Sequence, residues 1–145
     1  RFTTKEILPW DGFCLVHERF TCKDIQRARS RHPGSEVLVH PECRPEVIDA
    51  ADRVFSTSGM IRHVCADPAG EFIIGTEIGI LHQLSRRCPE KHCYPLSSRA
   101  ICVNMKKTDL EKVHAALDRM APRVQVPERI AIPARRAIER MLALP

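Results

Sequence analysis

Five short stretches of this chain carry side chains that can do chemistry, and they are widely spaced. Cys14 and His17 stand three apart in Cys14-Leu15-Val16-His17-Glu18, behind the loop-rich Pro9-Trp10-Asp11-Gly12-Phe13. A thiol and an imidazole at that spacing serve as a metal ligand and its neighbour, or as a nucleophile and its base. The second reading lacks a visible oxyanion hole and a third orienting group. His40-Pro41-Glu42-Cys43 sets an imidazole and a carboxylate two residues apart after an apolar run. Such a pair donates, accepts and holds a proton near neutral pH; the plain alternative is a turn in which Glu42 caps a helix. Ser56-Thr57-Ser58-Gly59-Met60 offers hydroxyls and a glycine at a helix start. Free backbone N–H groups and the helix dipole there suit a phosphate or carboxylate, unless the serine is only a cap. Gly75-Thr76-Glu77 offers close backbone approach and a carboxylate, and reads as a bland cap. Cys102-Val103-Asn104-Met105-Lys106-Lys107 sets a thiol beside two cations that favour thiolate.

The cysteines act singly on this reading. There are seven, an odd number, with seven histidines, and no Cys-x-x-Cys occurs, which removes the usual zinc-ribbon and thioredoxin patterns. Arg1-Phe2-Thr3-Thr4-Lys5-Glu6 has no apolar core of a secretory signal behind it, so reduced thiols in a cytoplasmic protein are expected rather than a disulfide scaffold. Cys22, Cys43, Cys65, Cys88 and Cys93 read as packing or incidental thiols. The first residue is not Met, and the chain is expected to be a fragment.

Composition narrows the function classes. With 145 residues, 43% hydrophobic and 28% charged, the chain has the size and content of an ordinary globular core, not of a disordered, collagenous or coiled-coil protein. The longest promising apolar run, Ile78-Gly79-Ile80-Leu81, stops at His82, far short of the ~20 residues that span a bilayer, so no membrane partner is expected. The net charge of +5 arises from 23 basic and 18 acidic residues that are interleaved. Only Trp10 and Tyr94 add polar aromatic faces, and this is the pattern of a solvated surface rather than of a nucleic-acid partner.

The elements that must position these groups alternate. Thr21-x-x-Asp24 is a capping box ahead of a helix that Pro33-Gly34-Ser35 ends, and Glu36-Val37-Leu38-Val39-His40 is a β-branched run typical of a buried parallel strand. Pro45 opens a second helix, residues 53–56 are strand-like, residues 58–64 are helical, residues 71–76 form the clearest strand, residues 79–87 a helix, and residues 93–96 a last strand. This order predicts an α/β three-layer α/β/α domain with a parallel sheet. Beyond residue 101 the pattern predicts two amphipathic helices, one capped by Thr108-x-x-Glu111 and running to about Met120, the other over residues 130–144 with Pro133 near its start. Cys14 precedes Thr21 by seven residues and Cys102 precedes Thr108 by six, a spacing that suggests a structural repeat with one thiol per copy.

Taken in order, Gly12-Phe13-Cys14 with Val16-His17, Val39-His40-Pro41-Glu42-Cys43, Ser56-Thr57-Ser58-Gly59-Met60, Ile74-Gly75-Thr76-Glu77 and Cys102-Val103-Asn104-Met105-Lys106 resemble the motifs of the quinolinate synthase family. The resemblance extends over essentially the whole chain, to Ile138-Glu139-Arg140-Met141-Leu142, and points to the C-terminal half of such an enzyme. It implies three α/β/α domains about a pseudo-threefold axis with a [4Fe–4S] cluster at the centre. On that match residues 1–17 are the tail of one domain, 18–101 a complete domain, and 102–145 the segment returning to the first. The implied reaction condenses iminoaspartate with dihydroxyacetone phosphate to quinolinate, losing phosphate and water, in NAD biosynthesis. L-aspartate oxidase or aspartate dehydrogenase would be the upstream supplier.

The resemblance also implies residue roles. Cys14 and Cys102 would be two of three cluster ligands, with the third missing from this chain. His40 and Glu42 would be the catalytic pair and contact substrate; Ser56 and Thr57 would bind phosphate; His17 would lie in the substrate pocket and Met105 near the cluster. Asp11 stands where the pattern has proline, and no Cys-x-x-Cys-x-x-Cys surrounds Cys102. The isolated chain is expected to be inactive. The rival expectation, from the residues alone, is a non-catalytic α/β module binding a phosphorylated metabolite through Ser56 to Gly59.

Overall fold

The computed structural model describes residues 4–144; residues 1–3, within the expected 1–17 stretch, and residue 145 lie outside the described residues. The chain divides between Val103 and Asn104 into two units.

In the first unit, helices α1 (Cys22–Arg31), α2 (Pro45–Ala50), α3 (Thr57–Ala66) and α4 (Ile80–Arg87) alternate with strands β1 (Glu36–Val39), β2 (Arg53–Val54), β3 (Glu71–Gly75) and β4 (His92–Pro95). Among the described residues these strands form one parallel sheet in the order β2-β1-β3-β4. The α/β expectation holds, and side-chain alternation shows why both faces must be covered. Val37, Val39 and Ile73 point to a cluster with Ile25 and Ala28 of α1 and Val47 of α2. Leu38, Phe72 and Ile74 point to the opposite cluster, with Met60, Ile61 and Val64 of α3 and Ile80 and Leu84 of α4. A strand apolar on both sides is stable only between two helical layers.

The local signals explain most boundaries. The Thr21 hydroxyl accepts the Asp24 N–H while the Asp24 carboxylate accepts the Thr21 N–H, closing the capping box of α1. Gly34 takes φ +88° in the turn after that helix, where a side chain would be strained. Pro45 occupies the first turn of α2.

Two expectations need correction. Cys65 and Cys88 do not act singly: they are joined in a disulfide, with Cα atoms 5.4 Å apart. α3 and α4 pack side by side on one face of the sheet, which brings together residues separated by 23 positions, a proximity that spacing along the chain does not reveal. The other correction concerns the second unit, where α5 (Leu110–Arg119) is capped by Asp109, not Thr108. Thr108 is extended and closes a 3-10 turn over Met105–Lys107, leaving the Asp109 carboxylate to accept the Lys112 N–H at 2.8 Å. α6 (Glu128–Leu142) starts two residues earlier than expected and carries Pro133 in its interior. No helix among the described residues is long and apolar enough to cross a membrane.

Candidate active site

A sheet in the order β2-β1-β3-β4 sends its connections in opposite directions from β1 and β3, so a crevice opens between the carboxyl ends of those two strands. Val39 at the end of β1 is in register with Gly75 at the end of β3, and the His40 N–H donates to the Gly75 carbonyl at 3.2 Å. A Cβ on Gly75 would lie 2.9 Å from Val39 Cγ1 and 3.1 Å from the Leu38 carbonyl oxygen, so glycine is what lets the two strand ends close up.

His17 bridges the crevice. It sits in a 3-10 turn over His17–Arg19 and is only 6% exposed. Its Nδ1 lies 3.0 Å from Glu42 Oε2, on the loop after β1, and its Nε2 lies 2.8 Å from Thr76 Oγ1, on the loop after β3. A carboxylate accepts only, so Nδ1 carries the proton toward Glu42; in the neutral ring Nε2 then accepts from the Thr76 hydroxyl. The His17 ring also stacks on His40 at 4.2 Å, the planes 6° apart.

His40 is half-buried, and its Nδ1 accepts the Glu42 backbone N–H at 3.2 Å. That bond selects the tautomer with hydrogen on Nε2. Burial, and next the neighbouring His17, push the imidazole below its usual 6.5, against an opposing pull from the Glu42 carboxylate. His40 is therefore neutral near pH 7, a donor through Nε2–H. Glu42 is well exposed; its Oε2 is engaged by His17 and its Oε1 stays open toward solvent. It is not the cap of α2, because Arg44 holds that position, so the cap reading of Glu42 fails.

The two candidate ligand thiols lie on loops joined to this crevice. Cys14 is a free, half-buried thiol whose sulfur lies within 4.8 Å of a His17 nitrogen and a Glu42 oxygen. Cys102 is also free and half-buried, and its backbone N–H donates to Glu77 Oε1 at 3.4 Å. Glu77, 8% exposed, also accepts the Gly79 N–H through Oε2, while the Ile78 N–H donates to the Ala100 carbonyl at 2.8 Å. The loop after β3 thus holds the Cys102 loop. Cys14 and Cys102 pack against the same hydrophobic cluster. Cys43, between them in sequence, is buried, and that burial pushes its thiol up to about 11, so it stays protonated.

Ser56 and Thr57 occupy the same end of the sheet but a different place. The Phe55 N–H donates to the Val39 carbonyl at 3.0 Å, setting the start of α3 beside the end of β1. Ser56 is the N-cap and accepts the Gly59 N–H at 3.3 Å; Thr57 is the first helical residue, and both are exposed. Neither joins the His17 network. Thr76 does, and Glu77 beside it accepts from the Cys102 loop, although Gly75-Thr76-Glu77 reads as a bland cap in sequence. The signal that reveals them is their position after the longest strand, once β3 is known to lie beside β1.

A further regularity links the cysteine loops. Cys14 is followed by a 3-10 turn three to five residues on and a helix N-cap at seven, and Cys102 is followed by the same elements at the same spacing once Asp109 is the cap. The residues opening the two turns match in backbone, Val16 at φ −74° and ψ −50°, Asn104 at φ −72° and ψ −41°.

The chain is 65% identical over 99% of its length to a quinolinate synthase of Methanoregula boonei, 50% identical over 99% to that of Desulforudis audaxviator, and 46% identical over its full length to that of a Geobacter species. It spans about half the length of these curated relatives, 48% in each case. Residues 1–143 match the family described as quinolinate synthetase A protein, and the chain belongs to that family.

Proposed function

We propose that this chain carries part of the active site of a quinolinate synthase, supplying Cys14 and Cys102 as two ligands of a [4Fe–4S] cluster and His40 with Glu42 as the proton-handling pair. The observation that carries the reading is the convergence of both free thiols' loops on the β1–β3 crevice, where His17 ties Glu42 to Thr76. The donor set fits the group: thiolates suit iron–sulfur clusters, these two are free and half-buried, and the intervening Cys43 is held as a thiol. The third ligand comes from residues outside these 145. When bound, a cluster held by three thiolates offers one iron as a Lewis acid for an oxygen or nitrogen of the metabolite.

The reaction is the condensation of iminoaspartate with dihydroxyacetone phosphate to quinolinate, with loss of phosphate and water, in NAD biosynthesis. An enzyme oxidising L-aspartate supplies the imine. Neutral His40 donates a hydrogen bond through Nε2–H to a substrate oxygen and stabilises the negative charge that develops there as bonds form and break. Glu42 uses its open oxygen to remove a proton from carbon or nitrogen, while its other oxygen is held by His17. His17 thereby acts as a positioning residue, since both its nitrogens are engaged within the protein. Ser56, Thr57 and the free N–H groups opening α3 hold the phosphate.

The test uses the full-length parent, purified without oxygen. Cys14→Ala and Cys102→Ala should each abolish iron and sulfide content and activity. His40→Ala should retain the cluster and lose turnover by roughly 10²–10⁴-fold, the usual contribution of general acid–base catalysis. Full cluster content in either cysteine variant overturns the ligand assignment, and normal turnover in the histidine variant removes His40 from the chemistry. In the parent, activity should fall on the acid side only below pH 6.5, because the folded imidazole takes its proton later than a free one.

A further inference from the structure

At the opposite end of β1 from His40, a second histidine faces two carboxylates. Glu36 opens β1, while His63 and Asp67 lie one turn apart at the end of α3. One imidazole nitrogen and two carboxylate oxygens from these residues all lie within 4.8 Å of one another. His63 Nε2 is 2.7 Å from Glu36 Oε2 and 3.7 Å from Asp67 Oδ2. We infer that Glu36, His63 and Asp67 form a binding site for a divalent cation of the zinc–cobalt–manganese class.

The surroundings orient each donor. Arg53 Nε donates to Glu36 Oε1 at 3.0 Å, and the Ala69 N–H donates to Asp67 Oδ1 at 2.8 Å, so each carboxylate has one oxygen anchored and turns the other toward His63. The His63 ring is set by Phe55, tilted at 4.9 Å, and by the edge of Phe72 at 6.0 Å. Outer contacts that fix ligand direction in this way are a regular feature of metal sites. Lys91, a second nearby cation, spends its ammonium on the carbonyl oxygens of Asp67 and Ala69 rather than on a carboxylate.

Hydrogen bonding alone leaves the cluster incomplete. One Nε2–H serves Glu36, but 3.7 Å is beyond hydrogen-bond range, so Asp67 Oδ2 faces the same nitrogen with no proton to accept. Arg53 balances one of the two carboxylates, and a divalent ion in place of the His63 Nε2 proton would join all three donor atoms at once. The spacing also suits one: donor atoms about 2.0–2.1 Å from a tetrahedral ion stand about 3.3 Å apart, between the two observed separations. The three side chains are 18%, 20% and 28% exposed, which leaves room for water in the remaining position. Bound there, the ion ties the end of α3 to the start of β1.

Cobalt(II) alone is the probe, because its spectrum separates nitrogen–oxygen ligation, with weak d–d bands, from thiolate ligation, with strong near-ultraviolet charge transfer. The chelator-treated protein should bind one equivalent that shows d–d bands and no charge transfer. That equivalent should be lost in His63→Ala and in Asp67→Asn, and weakened roughly 10–100-fold in Arg53→Ala, whose role is only to orient Glu36. It should survive Cys14→Ser. Asp67→Asn at the partly exposed end of α3 keeps the reading open if His63→Ala does not fold. Cobalt appearing only with thiolate charge transfer, or an unchanged d–d equivalent in Asp67→Asn, overturns the site.

Discussion

Helices α1 and α5 begin alike and end differently. Each is ten residues long, and each is capped by an oxygen side chain seven residues after a cysteine, following a 3-10 turn at the same spacing. α1 buries Ile25 and Ala28 against the sheet, whereas α5 buries no residue. Leu110, Leu117 and Met120 along α5 are 83%, 70% and 81% exposed, and α6 likewise buries nothing. The comparison separates two things an amphipathic pattern does. It specifies a helix with a cap and an apolar face, but burial of that face requires a surface the pattern does not itself provide.

The sharpest way to break the comparison is truncation of one large side chain on each side of it. Phe72→Ala, fully buried in β3, should cost about 3–5 kcal/mol, while Leu117→Ala should change stability by no more than about 0.5 kcal/mol. Urea denaturation of the 145-residue chain measures both, and equal losses would show that α5 is buried in solution.

Next in size is Asp52, whose carboxylate accepts the Val37 N–H at 2.7 Å at the edge of the sheet and pairs with Arg29. Burial raises its pKa, but the bonds from Arg29 and Val37 outweigh that and hold it below 3.8. A carboxyl depressed in the folded state binds fewer protons there than when unfolded, so its stabilisation is present above the unfolded value and lost as pH falls through the folded one. Asp52→Asn should cost roughly 1–2 kcal/mol at pH 7 and flatten the acid limb of the stability curve. An unchanged acid limb would remove Asp52 from it.

The smallest effect sharpens the comparison most. Thr21→Ala should lower global stability by about 1 kcal/mol, because α1 is part of the cooperative core. Asp109→Ala should leave the urea midpoint of the first unit in place and only speed amide exchange over residues 110–113. A shift of that midpoint by Asp109→Ala would mean the two units unfold together.

Much of the fold was legible because its determinants are local. The capping box at Thr21, proline at the start of α2, and the β-branched runs of β1 and β3 each act over a few residues. The cap of α5 was misread because Thr108 and Asp109 are adjacent and both able, and only backbone conformation chooses between them. Of the site, His40, Glu42 and the two thiols were visible as residue types. Thr76 and Glu77 were visible too but read as a bland cap, because their part depends on which strand lies beside β1.

Sequence alone therefore determined the element types, the buried parallel character of the strands and the family resemblance, since each rests on short-range patterning and side-chain chemistry. Tertiary structure decided what met what. The order β2-β1-β3-β4 places the loop after β3 against the loop after β1, which lets His17 reach both Glu42 and Thr76. It also joins Cys65 to Cys88 and brings Glu36 to His63. The reason is physical: strand order is set by which apolar faces pack together across the whole sheet, a property that no window of neighbouring residues contains.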